Sequence, residues 1–328
     1  MKAILCRTHG LPHTLVLAEH PLPPLQPDEV LVKVAYCGVN FPDTLLIQNK
    51  YQFKPPLPFS PGGEVAGIVE AVGSDVKHIN TGDRVVGMCG WGGLAEYAVV
   101  KSIRTFVLPP DINLQAAAAT FYNYATAYHA LSDRAGLMPG EKLLVLGAAG
   151  GAGMAAVELG KLMGATVIAA ASADDKLKLC QCKGADYLIN YSIHNVKDAV
   201  KDISQGAGVD VIFDVVGGAV AESAIRAIAW RGRYLVVGFA SGNVPTFAAN
   251  IPLLKGASIV GVFWSGFAEK EPAKNASNMN QLIQWHQEGK ISQQIYKTYS
   301  LANAPQALQD MMDRKITGKA VVQISYFY

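Results

Sequence analysis

The sequence predicts an α/β protein of two domains, an all-β N-terminal unit and a doubly wound parallel sheet with helices on both faces. Three observations carry the prediction. Roughly the first hundred residues are rich in Val, Gly and Pro, with short alternating apolar runs and tight-turn residues. From Leu143 the period changes to near-continuous apolar runs separated by helical segments, the pattern of strands buried on both faces. The first of those runs breaks into glycines and then into a helix.

In the N-terminal unit, Val30-Leu31-Val32-Lys33-Val34 and Arg84-Val85-Val86-Gly87 read as strands, with a turn at Gly82-Asp83 ahead of the second. Lys54-Pro55-Pro56-Leu57-Pro58 reads as an ordered loop, because each proline removes a ladder donor. An alanine-rich stretch from Gln115 to Thr120 starts a helix running toward Leu131. Six strands follow, Leu143–Gly147, Thr166–Ala171, Tyr187–Tyr191, Val209–Val216, Arg233–Gly238 and Ser258–Val262, most of them separated by helices. Further helices fall around Asn278–Glu288 and Pro305–Arg314. The run Ala320-Val321-Val322-Gln323-Ile324 reads as a strand returning to the first domain's sheet. The domains so drawn are 1–118, 119–262 and a returning C-terminal segment, 263–328.

With 328 residues, half of them hydrophobic, the chain can bury a core in each domain. The formal net charge of +2 and the lack of a basic run argue against nucleic acid as a partner and favour small or uncharged ones. Arg7 interrupts the N-terminus before a signal-peptide stretch develops, and no apolar run is long enough to span a membrane, so a soluble cytoplasmic protein is expected. Five scattered cysteines suit a reducing compartment better than a disulfide framework. Cys180 and Cys182 point to different faces of a predicted helix and read as inert.

The segment Leu143-Leu144-Val145-Leu146-Gly147-Ala148-Ala149-Gly150-Gly151-Ala152-Gly153 is a strand, a glycine-rich turn and the start of a helix. Glycines let the backbone approach a pyrophosphate, and free N–H groups at the positive end of the helix stabilise its charge. An acid at the end of the second strand would hold an NAD ribose and repel a 2′-phosphate. That end is Ala169-Ala170-Ala171-Ser172, without an acid. Ser172 and Lys176 can meet a phosphate, which favours NADPH. Asp174 and Asp175 weaken the case, although acids in a helix's first turn suit its dipole whatever the ligand.

Cys37-Gly38-Val39-Asn40-Phe41-Pro42-Asp43, Pro61-Gly62-Gly63-Glu64-Val65-Ala66-Gly67-Ile68-Val69, the Gly147–Gly153 turn, Gly184-Ala185-Asp186 and Thr317-Gly318-Lys319 are co-linear with one family. Along essentially its whole length the chain resembles the zeta-crystallin-like NADPH:quinone oxidoreductases of the zinc-free medium-chain dehydrogenase/reductase superfamily. The resemblance implies a GroES-like β-barrel substrate domain over 1–118 and a Rossmann NADPH-binding domain over 119–262. Zinc alcohol dehydrogenases of the superfamily ligate their metal with a Cys, a His and a third Cys or Asp. In register with them stand Asn40, Gly63 and Tyr122, none of which supplies a thiolate or imidazole, so no metal is expected. Hydride delivery to an already electrophilic quinone or conjugated alkene then fits better than zinc-assisted alcohol oxidation.

The resemblance also implies site residues. Asn40 and Thr126 belong near the nicotinamide, Gly150, Gly151, Ala152 and Gly153 at the pyrophosphate, and Ser172, Lys176 and Tyr191 around the 2′-phosphate. Gly217, the run Gly238-Phe239-Ala240, the pair Phe263-Trp264 and Arg314 complete the cofactor set. Each has a plainer reading: Asn40 and Asp43 as caps, Thr126 as a helix-interior hydroxyl, Tyr191 as a strand end, Gly238 as a strand terminator, Phe263 and Trp264 as packing. Tyr51 falls where the family faces its substrate and can donate a hydrogen bond as charge develops on the acceptor oxygen, or serve only as packing. The family's other tyrosine there is Leu45 in this chain. His129, in the predicted Gln115–Leu131 helix, reads as structural.

Reduction of quinones leads the functional expectations. Reduction of an enoyl or acrylyl thioester is the alternative, and a non-catalytic crystallin-like or RNA-binding protein trails both. A homodimer is expected through Ser258–Val262, a β-branched strand able to serve as an edge.

Overall fold

Strands open the chain, in a computed structural model that describes residues 1–325. β1 (Lys2–Leu5) and β2 (Val16–Glu19) form a hairpin, followed by β3 (Glu29–Gly38), helix α1 (Phe41–Leu46), β4 (Glu64–Val72), β5 (Arg84–Gly87), β6 (Tyr97–Lys101) and β7 (Thr105–Val107). β3, at 10 residues, is the longest strand among the described residues. It pairs antiparallel with both β4 and β6, and register shifts on the β4 side bend it as a closing sheet requires. Val30, Val32 and Val34 are completely buried along it. Helix α2 (Leu114–Tyr128) follows, its alanines 117, 118 and 119 fully buried. Their small side chains allow close packing as well as favouring the helix.

The next stretch alternates strand and helix. In order come β8 (Lys142–Leu146), α3 (Gly151–Leu162), β9 (Thr166–Ala171), α4 (Asp174–Cys182), β10 (Tyr187–Asn190), α5 (Val196–Ile203) and β11 (Val209–Asp214). Then follow α6 (Gly218–Ala224), β12 (Ile228–Val236), α7 (Asn250–Lys255), β13 (Ser258–Gly261) and α8 (Trp264–Lys270). All six strands pair in parallel, in the order β10-β9-β8-β11-β12-β13. Counted within the sheet this is the doubly wound 3-2-1-4-5-6 order, whose direction of winding reverses between β8 and β11. Ligands of such sheets bind outside the C-terminal ends of the strands at that reversal.

Beyond α8 the chain forms α9 (Pro272–Gln287), β14 (Ile295–Ser300), α10 (Ala304–Met312) and β15 (Lys319–Gln323). β15 returns to the N-terminal sheet, Val321 opposite Gly38 and Val322 opposite Cys37, and β14 adds itself in parallel outside it. Two units result, Met1–Tyr122 with the chain from Pro272 on, and Asn123–Glu271. Each has its own core, including Val30, Val65, Leu308 and Val322 in the first and Leu144, Ile168, Ile212 and Tyr234 in the second. No helix among the described residues is long and apolar enough to cross a membrane.

The sequence reading placed the fold class and all six parallel strands, but started β12 too late. Trp230 is 69% exposed, Arg231 takes a positive φ of 60°, and the pairing with β11 slips between Ile228 and Arg233. The strand therefore crosses a bulge that looks like loop in sequence. α8 and β14 were not foreseen.

Candidate functional site

At the C-terminal end of β8 the chain turns through Gly147, whose φ of +71° is glycine territory. A β-carbon on Gly153 would overlap the Gly147 carbonyl oxygen, so α3 packs against the turn at backbone distance. Gly150 caps α3 without a side-chain bond, which leaves the N–H groups of the first turn for a ligand. The loop after β11 reaches the same place. A β-carbon on Gly147 would stand 2.8 Å from Val216 and 2.9 Å from Val215.

Asp214, the last residue of β11, shapes that second loop. Its Oδ1 accepts from the N–H groups of Val216 (2.7 Å) and Gly217 (3.0 Å), and its Oδ2 accepts from the Tyr234 hydroxyl (2.6 Å). Burial pushes the Asp214 carboxyl up, and burial together with that carboxylate pushes the Tyr234 phenol up further. The loop after β12 is laced onto the loop after β11: Gly238 N–H donates to the Asp214 carbonyl, Ala240 to Val215 and Gly218 to Asn243. Gly217, with φ +71°, has room for no side chain, since a β-carbon would stand 2.7 Å from the Asn243 carbonyl oxygen and 3.1 Å from the Phe239 ring. Gly217, Gly238, Phe239 and Ala240 are thus brought together.

At the ends of β9 and β10, Ser172 is exposed and carries no acid beside it, while Lys176 is half-buried two residues into α4. Ser192 Oγ donates to the Ser172 carbonyl (2.8 Å), and Tyr191 N–H to that of Ala171 (3.0 Å), which ties Ser172 and Tyr191 to one edge. Asp174 is occupied by Asn190, whose Nδ2 donates to its Oδ1 at 2.8 Å. Trp264 is 6% exposed and belongs to the packing, whereas Phe263 is 48% exposed. His129 pairs with Asp133 at 2.9 Å and stacks on Phe267, and burial lowers its pKa, as a structural histidine requires.

The other unit holds a buried polar cluster. Lys319, 1% exposed, donates from Nζ to Glu64 Oε2 (2.7 Å) and Asn40 Oδ1 (2.6 Å). Asn40 Nδ2 donates to the Gly38 carbonyl and to Glu64 Oε2, and Glu64 Oε1 accepts from Tyr122 N–H at 2.8 Å. Asn40 also caps α1 in a reciprocal box with Asp43, whose Oδ2 accepts from Asn40 N–H and Oδ1 from Gly62 N–H. Burial pushes the Asp43 carboxyl up to about 6. Burial and nearby Asp43 also raise the thiols of Cys37 and Cys89, the latter to about 12, so both stay protonated. Tyr51 shares a side-chain hydrogen bond with Tyr122 and meets Phe53 edge-on; burial raises its phenol. Arg314 lies exposed at the end of α10 with a φ of 59°.

Known proteins share this layout. Residues 26–110 match the alcohol dehydrogenase GroES-like domain, and residues 151–284 match the zinc-binding dehydrogenase family. The chain is 38% identical to quinone oxidoreductase-like protein 2 of Rattus norvegicus over 315 residues, 96% of this chain and 90% of that one. The chain belongs to the quinone oxidoreductase family. That family is a branch of the medium-chain dehydrogenase/reductase superfamily, and its members are oxidoreductases. Quinone oxidoreductase of Rattus norvegicus is 32% identical, covering 95% of this chain and 94% of its own. Among solved structures, Escherichia coli quinone oxidoreductase complexed with NADPH superposes with a TM-score of 0.93 at 28% identity, covering 98% and 100% of the two chains.

The sequence resemblance sets Asn40, Gly63 and Tyr122 at the superfamily's catalytic zinc positions. Here the amide of Asn40 is spent on Glu64 and Lys319, Gly63 has no side chain, and Tyr122 offers a phenol. Such a donor set does not fit zinc. No cluster of three His, Cys, Asp or Glu able to hold a metal occurs among the described residues. Sequence reasoning missed Asp214, Asn190 and the depth of Lys319. Asp214 had a signal, a carboxylate closing an apolar strand just before Gly217-Gly218. Lys319 had none beyond its family position.

Proposed function

We propose that the chain is an NADPH-dependent quinone reductase that works without zinc. The observation that carries the reading is the replacement of every zinc-ligand position by a group that is glycine, phenol or an amide already engaged. Nothing at those positions activates an alcohol, so the acceptor must bring its own electrophilicity. NADPH, when bound, supplies the hydride. The names of the relatives and the NADPH held by the Escherichia coli structure support the same reading.

The residues divide the work. The first turn of α3, Gly150 to Gly153, presents N–H groups to the diphosphate. Ser172, Lys176 and Tyr191 receive the 2′-phosphate, with Asp174 drawn off by Asn190. The laced loops carrying Gly217, Gly238, Phe239 and Ala240 shape the wall at the strand ends. Thr126 acts toward the nicotinamide, and Phe263 and Arg314 toward the cofactor. Asn40 acts by fixing the Lys319 and Glu64 cluster, and Trp264 by packing. Tyr51, steadied by Tyr122, donates to the acceptor oxygen, and solvent protonates the product.

The protein is proposed to be a homodimer in the cytoplasm, where its five cysteines stay free. Steady-state turnover of benzoquinone and phenanthrenequinone is set against crotonyl-CoA and acrylyl-CoA with NADPH as donor. Quinone turnover well above that of either thioester supports the reading. The reverse ranking reassigns the enzyme to activated alkenes.

A further inference from the structure

Asn123 lies one turn before the end of α2, in the Asn123–Glu271 unit, and is 6% exposed. Its Nδ2 is buried and makes no hydrogen bond among the described residues. Burying an amide donor unpaired is destabilising, so its position calls for a partner that arrives later. What the amide touches shows where that partner binds. A β-carbon on Gly151 would overlap Nδ2 and stand 2.9 Å from Cγ and 3.0 Å from Oδ1. The whole amide therefore lies against the first residue of α3, a helix of 12 residues whose N-terminus has no side-chain cap.

Gly151 gives independent support. Its φ is not positive, so the backbone conformation does not demand glycine there, and glycine within a helix is unfavourable relative to alanine. The close approach of Asn123 accounts for it. The turn from Leu146 to Met154 contains no lysine or arginine, so a diphosphate bound there meets only N–H dipoles, and one further donor matters.

We propose that Asn123 is a cofactor-binding residue whose amide NH2 donates to a phosphate oxygen of the dinucleotide's diphosphate at the N-terminus of α3. The inference rests on the NADPH reading above. The amide's two ends are nearly alike in shape, so a half-turn about Cβ–Cγ brings the NH2 to either side without repacking.

The test is a fluorescence titration of NADPH into wild-type protein, Asn123→Asp and Asn123→Ala, with 2′-AMP as a competing probe that lacks the diphosphate. Asp keeps the shape but loses the donor and adds a negative charge. NADPH affinity falls about tenfold or more in Asn123→Asp and severalfold in Asn123→Ala, corresponding to one lost charge-assisted hydrogen bond. Affinity for 2′-AMP stays within twofold, and thermal unfolding of the ligand-free Asn123→Ala protein is not lowered. NADPH binding unchanged in both variants overturns the inference, as does an equal loss of NADPH and 2′-AMP. A wild-type protein that binds neither nucleotide fells the cofactor reading, and this inference with it.

Discussion

Lys319 takes a full charge into the interior of its unit, where Glu64 and Asn40 receive it. A buried pair of this kind is poor evidence of net stabilisation, but removing one partner strands the other. Lys319→Met is expected to cost about 3–5 kcal/mol in urea unfolding, and adding Glu64→Gln should recover part of that loss. Asp43 gives a pH signature. Its folded pKa of about 6 lies above the unfolded value, so the folded state holds the proton longer. The stability this contributes is complete below the unfolded pKa and is lost as pH rises through the folded one. Wild-type protein should therefore lose up to about 3 kcal/mol between pH 4 and 6 relative to Asp43→Asn, measured by urea unfolding at each pH. Neither residue's burial was legible in the sequence. The partners of Lys319 lie 255 and 279 positions away, and nothing local distinguishes it from a surface lysine.

Elements were far easier to read. The strands from β8 to β13 announced themselves because a parallel sheet covered on both faces needs unbroken apolar runs, and Leu143, Leu144, Val145 and Leu146 are all fully buried. The exception, β12, hides its start behind an exposed Trp230 and a bulge that only pairing with β11 reveals. The turn between β9 and α4 was legible as well, as an apolar strand ending without an acid. What could not be read was that Asn190 from the next strand takes up Asp174. On the proposed reading this turn sets cofactor choice. Ser172→Asp places an acid at the strand end and should lower kcat/KM for NADPH by about 10–100-fold while leaving NADH turnover unchanged or raised. An unchanged NADPH-to-NADH ratio would remove Ser172 from the 2′-phosphate site.

For the whole molecule, the two-part organisation and the return of the C-terminus to the first sheet followed from a change of hydrophobic period and a closing apolar run. The proposed homodimer rests on an edge. Among the described residues β13 pairs only with β12, leaves Ile259 44% exposed, and lies near an apolar surface with Trp230, Leu253 and Leu254 each at least 69% exposed. A second copy pairing edge to edge would cover it. Light scattering should give twice the mass of one chain, and Ile259→Lys should shift it toward one. A monomeric wild type would remove the dimer. The central claim, NADPH-driven quinone reduction without zinc, is tested most directly by following NADPH and NADH oxidation with phenanthrenequinone before and after exhaustive chelation. An NADPH-preferring rate that chelation leaves unchanged is predicted. A rate lost on chelation and restored by zinc would contradict it.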